Sequence, residues 1–262
     1  MKEYHPQVSV KAITDYHLEA FLRCPYKFYY QHILSDHSSE LKWRQIVQLI
    51  INQIVQEYYQ LPLSEQKKLN VLKLIDRYWQ KINPMLFDNP IQYYTVVAKI
   101  TDHLLRFLES KEETTLPLFL FKKLDAYIDE LESQVSLTFE VVEWSTYSFK
   151  IKKFLVEADR EMVELYHYLM VVFAKKAFRK IPEQVEVINL LEGKRYTFTP
   201  SEEEVQRGIL YLTYLKESVQ KPDRYSPPSS SKECKQCPFH SKCTHSNEPI
   251  ANKSDDKSRR LN

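Results

Sequence analysis

The chain has 262 residues, 43% hydrophobic and 27% charged, with a formal net charge of +2 and a pI near 8.2. That length can bury a sizeable core as one large domain or two small ones, and so balanced a charge does not by itself demand a nucleic-acid partner. No apolar run could span a bilayer, MKEYHPQVSV lacks a signal-peptide core, and the only glycines, Gly193 and Gly208, exclude a Gly-rich phosphate loop or dinucleotide fingerprint.

Thr14 or Asp15 can cap a first helix carrying Leu18, Phe21 and Leu22, and Pro25 can end it or open the next. Tyr26, Phe28, Tyr29 and Tyr30 form an aromatic cluster after Cys24, read as core packing in preference to base stacking. Ile46, Val47, Ile50, Ile51, Ile54 and Val55 make the apolar stripe of a helix over 43–59. Helices follow at 69–82 and 93–108, separated by Asn83-Pro84 and Asn89-Pro90, and a short one is expected at Lys122–Glu132. The period then changes to two: VSLTFEVVEW from Val135 predicts a strand, Ser145-Thr146-Tyr147 a turn, and FKIKKFLVEAD from Phe149 a second strand. Glu161–Phe178 has helical spacing, Gln184–Leu191 reads as a third strand, and Gly193 closes a hairpin into RYTFTP. Ser201 and Glu204 make a capping box for a helix to about Val219. PPSSS at 227–231 is a loop, and the polar tail at 246–262 is expected to be disordered.

Four cysteines are the most specific chemical signal. Cys234, Cys237 and Cys243 form a CxxC followed, after five intervening residues, by a third thiol; Cys24 stands alone near the start. Thiols at this spacing in a chain expected to be cytoplasmic point to a metal site rather than a disulfide. Zinc and an iron–sulfur cluster both take four soft ligands, with Cys24 or His240 available as the fourth.

LEAFLRCPYKFYY, together with the C-terminal CxxC…C, resembles the RecB-like branch of the PD-(D/E)XK nucleases that carry an iron–sulfur cluster, the kind found in CRISPR adaptation exonucleases and in the B subunit of AddAB helicase–nucleases. The resemblance implies an α/β fold: a restriction-endonuclease-like core over 1–245 with a helical insertion at about 60–132. It implies that Cys24, Cys234, Cys237 and Cys243 hold a [4Fe–4S] cluster, with zinc as the alternative, joining the N- and C-terminal segments. It also implies Mg²⁺ or Mn²⁺ held by strand carboxylates, because hard cations take oxygen ligands.

Laid on this chain, the family's first acid falls on Glu140, and its (D/E)xK on Glu157-Ala158-Asp159, with an acid where lysine is expected. QxxxY falls on Glu164 to Tyr168, and Asn52 stands where many members have histidine. Lys152 or Lys153 can replace the lysine, and strand alternation would put Lys153 on the face of Glu157 and Asp159. In that reading Glu140 and Glu157 hold the metal. The alternative is a solvated strand end, with Asp159 and Glu161 simply favouring a helix dipole. The expected function is DNA processing, repair or defence, with catalysis weakened or lost and a DNA-binding or scaffolding role, alongside a helicase or another repair or defence protein. An active metal-dependent DNA nuclease and a cluster-bearing protein-interaction module are the alternatives. No membrane association is expected.

Overall fold

The structure, a computed structural model, describes residues 12–35, 42–109, 116–226, 234 and 237–243. The chain divides into two compact units: Met1–Ser39 with Asp125–Ser136 and Gln206–Asn262, and Glu40–Leu124 with Leu137–Val205.

The first unit opens on strand β1 (Ala12–Thr14), helix α1 (Asp15–Arg23) and helix α2 (Pro25–Phe28), followed by a π turn at Tyr29–Ile33. The Thr14 hydroxyl accepts from the His17 amide at 3.0 Å and caps α1, while Pro25 opens α2, where its missing N–H costs nothing. Phe21, Phe28, Tyr29, Val219 and Tyr225 form the core, so the aromatic run after Cys24 is packing, as its composition suggested. The Tyr26 hydroxyl donates to the Tyr225 carbonyl at 2.9 Å. A last short helix, α8 (His240–Cys243), carries the third C-terminal cysteine. The loop at 227–231 and the tail at 246–262 lie outside the described residues.

The second unit packs α3 (Trp43–Gln60), α4 (Lys68–Trp79) and α5 (Pro90–Glu109) over strand residues Val141, Phe154 and Ile188. Val47, Ile51, Ile54 and Val55 on α3 are fully buried, each contributing about 1.5–3 kcal/mol. The strands are β2 (Pro117–Ile128), β3 (Ser133–Trp144), β4 (Phe149–Leu155), β5 (Gln184–Asn189) and β6 (Lys194–Phe198), with α6 (Arg160–Phe178) between β4 and β5 and α7 (Glu202–Val219) after β6. β2, β3 and α7 each run through both units. The sheet order is β1-β3-β4-β5-β6, with β2 also paired to β3. β3 and β4 form an antiparallel hairpin, β4 and β5 run parallel through the α6 crossover, and β5 and β6 form a second hairpin. Gly193 sits in that second turn at φ +64, where a Cβ would meet the His103 and Arg106 side chains.

One element differs from expectation. Lys122–Glu132 is not a helix: strand β2 runs to Ile128 and a 3₁₀ turn follows at Asp129–Leu131. The segment at 60–132 is therefore helical only before β2. Leu, Ala, Lys and Glu favour helices in isolation, but Leu124, Ala126 and Ile128 alternate inward with Lys123, Asp125 and Tyr127 outward once β3 is there to pair with.

His167 of α6 is 2% exposed and stacks on Phe198 at 4.0 Å, with Nε2 3.4 Å from Glu204. Burial lowers its pKa from the ordinary 6.5, and charge on Glu204 and Glu164 only partly opposes this. The unfolded chain therefore binds a proton at this histidine before the folded chain does. Stability should be intact above pH 6.5 and fall as pH drops through that value, and His167→Phe should flatten the slope in urea melts recorded between pH 7.5 and 5.5.

Candidate active site

The antiparallel ladder between β3 and β4 runs from Trp144–Phe149 to Val141–Lys152 and stops there. Beyond it, side chains take over the pairing of β4. The Glu140 Oε2 accepts from the Phe154 amide at 2.7 Å. From α3, the Gln48 Nε2 donates to the Phe154 carbonyl at 2.7 Å, and its Oε1 accepts from the Val156 amide at 2.9 Å. Gln48 also donates to Asn52 at 2.9 Å, so the residue at the expected histidine position orients this clamp.

Lys153 projects beside Glu140, its Nζ 2.6 Å from Oε1. Glu140 is 1% exposed and the ammonium lies 4.6 Å from the ring centre of buried Tyr166 on α6. Lys152, one residue earlier, points the other way and pairs with Glu143 at 2.6 Å. Glu143 in turn accepts from Tyr59 of α3; burial first, then the Glu143 charge and that hydrogen bond, hold the phenol well above its usual pKa. Glu186, the register partner of Lys152, reaches Arg195 at 3.7 Å. Two carboxylate–lysine couples thus lie on opposite faces of one hairpin.

The remaining expected residues do not join Glu140. β4 ends at Leu155, so strand alternation does not extend to Glu157 and Asp159, and Lys153 does not share a strand face with them. Glu157 pairs with Arg44 of α3 at 2.6 Å. Asp159 caps α6, its Oδ1 accepting from the Met162 amide at 2.9 Å, which is the helix-terminus role the sequence left open. Glu164 pairs with Arg160 one turn away at 2.9 Å. Tyr168 lies half-buried with its ring 5.0 Å from His167, and it is Tyr166 that meets Lys153.

Gln48 and Arg44 were not singled out from sequence. With Asn52 they form an i, i+4, i+8 polar row along α3, and that row is the signal that could have found them. A divalent cation needs several oxygens converging on one point. As placed, Glu140 faces a lysine, Glu157 an arginine and Asp159 a backbone amide. Among the described residues, no three His, Cys, Asp or Glu side chains are grouped to hold a metal ion.

The cysteines belong to the first unit. None of the four is in a disulfide, and all are partly exposed. The Cys24 Sγ accepts from the Lys27 amide at 3.4 Å. Burial raises the Cys24 thiol above its usual value, the Lys27 amide opposes this, and charge on Cys237 and Cys234 raises it further. The Cys237 amide donates to the Cys234 carbonyl at 3.1 Å, and the Tyr30 ring stacks on Phe239 at 5.2 Å. Burial and then Cys243 push the Tyr30 phenol up to about 12. Cys24 therefore lies within electrostatic reach of Cys234 and Cys237, and Cys243 within reach of Tyr26 and Tyr30.

A mixed sheet with a β4–α6–β5 crossover and an acid–lysine couple at its centre is the framework of a nuclease-like α/β protein. The profile of the PD-(D/E)XK nuclease superfamily matches residues 12–244, and the chain belongs to that superfamily. No curated protein matches it. Among solved structures it is similar to a candidate exonuclease from Eubacterium rectale, at 9% identity and a TM-score of 0.48, covering 92% of this chain and 91% of that one. It is also similar to the protein SSO0001, at 11% identity and a TM-score of 0.39, covering 90% and 88%. No helix among the described residues is long and apolar enough to cross a membrane.

Lys153→Met leaves the Glu140 carboxylate buried without its cation and should cost about 3–5 kcal/mol in denaturant unfolding. Adding Glu140→Gln should restore part of that loss, because an amide needs no counter-charge. Additive losses in the double-mutant cycle would show that the two groups do not act as a pair.

Proposed function

We propose that this superfamily member engages DNA through a nuclease-like core whose cleavage centre is closed by its own lysine. The observation that carries this reading is the Lys153 ammonium 2.6 Å from a Glu140 that is 1% exposed. The carboxylate that would lead the metal set is already neutralised, and the second, Glu157, is held by Arg44. Removing preorganised charge stabilisation from a phosphodiester cleavage centre removes the largest catalytic contribution. What remains is a scaffold of a superfamily that acts on nucleic acid, consistent with a binding role in DNA processing, repair or defence.

The test uses single-stranded and duplex DNA with Mg²⁺ or Mn²⁺. The expected outcome is salt-sensitive binding in a mobility shift without cleavage, since phosphate contacts weaken as salt rises. Cleavage by the wild type that Glu157→Ala abolishes would establish an active enzyme instead.

The same reading gives Cys24, Cys234, Cys237 and Cys243 one [4Fe–4S] cluster. Four thiols as the chain's whole cysteine complement, placed in one unit with Cys24 sensing Cys234 and Cys237, support it. When bound, the cluster would cross-link the two ends of the chain. Cys24 sits at the α1–α2 junction with its thiol turned to the Lys27 amide, and Cys243 ends α8 beside Tyr30, so each end is presented by a short helix. Anaerobically purified protein should contain iron and sulfide, and Cys237→Ser should lower both metal content and melting temperature, because metal binding couples to folding. Zinc without sulfide would replace the cluster assignment and keep the cross-link.

A further inference from the structure

The end of the hairpin opposite Glu157 carries a feature that the cleavage centre does not use. Trp144 closes β3 at 57% exposed, and Tyr147, in the turn, is 86% exposed. Exposed rings of this kind offer π faces on which a base can stack. The other two tryptophans, Trp43 and Trp79, are buried.

Hydrogen bonds tie the tip to the segment before β5. The Ser145 amide donates to the Ser148 carbonyl at 3.2 Å, and the Ser148 hydroxyl donates to the Ile181 carbonyl at 2.8 Å. The Glu183 amide donates to the Phe149 carbonyl at 2.9 Å. The Glu183 carboxylate accepts from the Ser145 hydroxyl and from the Tyr147 amide, the latter at 3.4 Å. That hydroxyl first, and charge on nearby Lys150, hold the Glu183 carboxyl below its ordinary value. The turn is thereby tied to the segment between α6 and β5.

That segment is basic. Arg179 and Lys180 are exposed, Arg179 in the left-handed conformation that ends α6, and Lys150 is the second residue of β4, beside the tip. The acids close by are engaged: Glu183 with the turn itself and Glu143 with Lys152. Two exposed rings flanked by Lys150, Arg179 and Lys180 combine the two elements that single-stranded nucleic acid needs, π faces for bases and cations for phosphates.

We propose that the β3–β4 hairpin tip is a stacking platform for single-stranded DNA, with Trp144 and Tyr147 taking bases and Lys150, Arg179 and Lys180 taking the backbone. This goes beyond the cleavage centre and rests on the reading that the chain binds DNA. A platform at the far end of β4 from Glu157 gives a bound strand a purchase that does not involve the carboxylates.

The full-length protein is titrated with oligo(dT) and, separately, with a duplex of equal length, following intrinsic tryptophan fluorescence and affinity. The oligonucleotide should quench the emission of Trp144. Trp144→Phe should lose the quenching and keep affinity within about twofold, since a ring remains. Trp144→Ala with Tyr147→Ala should weaken oligo(dT) binding at least tenfold and duplex binding far less. Replacing Lys150, Arg179 and Lys180 with alanine should flatten the salt dependence of log K for oligo(dT) by about two units of slope. Melting curves check that the variants are folded. Wild-type binding to oligo(dT) with no quenching, and unchanged affinity in the double-alanine variant, would overturn the platform while leaving DNA binding intact. Preference for duplex over oligo(dT) with the same mutational loss would overturn the single-strand assignment. Failure of the wild type to bind any DNA would remove both the platform and the reading beneath it.

Discussion

Where the ladder between β3 and β4 stops at Val141–Lys152, the backbone of β4 still has to satisfy its hydrogen bonds. A buried peptide group left unpaired costs about as much as a lost hydrogen bond, so the fold must supply partners from elsewhere. It supplies Glu140 to the Phe154 amide, and Gln48 to the Phe154 carbonyl and the Val156 amide. Much of the neighbourhood follows from this one requirement. A carboxylate brought inside to accept from an amide needs a counter-charge, and Lys153 stands directly beside it. An amide side chain that must face two backbone groups at once needs orienting, and Asn52 does so one helical turn along α3.

The same requirement shapes the chemistry. In a metal-dependent nuclease, strand carboxylates are left with lone pairs turned toward a common point. Here the carboxylates of the expected motif are each drawn toward a different partner, a lysine, an arginine and a helix N-terminus. The Glu140–Lys153 pair is the most consequential of the three because it is buried, where the separation of charge is most costly. The Glu157–Arg44 pair is partly exposed and contributes little to stability by comparison. It matters by occupying a carboxylate.

The first unit solves a different problem. Its core is a small group of aromatic rings contributed by segments from both ends of the chain. Tyr26, Tyr225 and Tyr30 each carry a hydroxyl that reaches a backbone carbonyl, Tyr30 that of Lys242 at 3.4 Å. The segments that build this core lie far apart in the chain, and bringing them together costs loop-closure entropy that grows only slowly with the length between them. Cys24, within electrostatic reach of Cys234 and Cys237, belongs to this same unit.

The sequence by itself determined the elements with strong periodicity. The stripe from Ile46 to Val55 required α3, and the alternation after Val135 required β3; Gly193 marked a turn that only a residue tolerant of positive φ can make without strain. It also determined the donor set of the cysteines and the resemblance at both ends. Tertiary structure decided the rest, because those features depend on which partner arrives. The segment after Lys122 became a strand once β3 offered it an edge. Glu157 and Asp159 lie outside the strand because β4 stops at Leu155. Lys152 and Lys153 are indistinguishable as adjacent letters; only the pleat sends one to Glu143 and the other to Glu140, on opposite faces of the same hairpin.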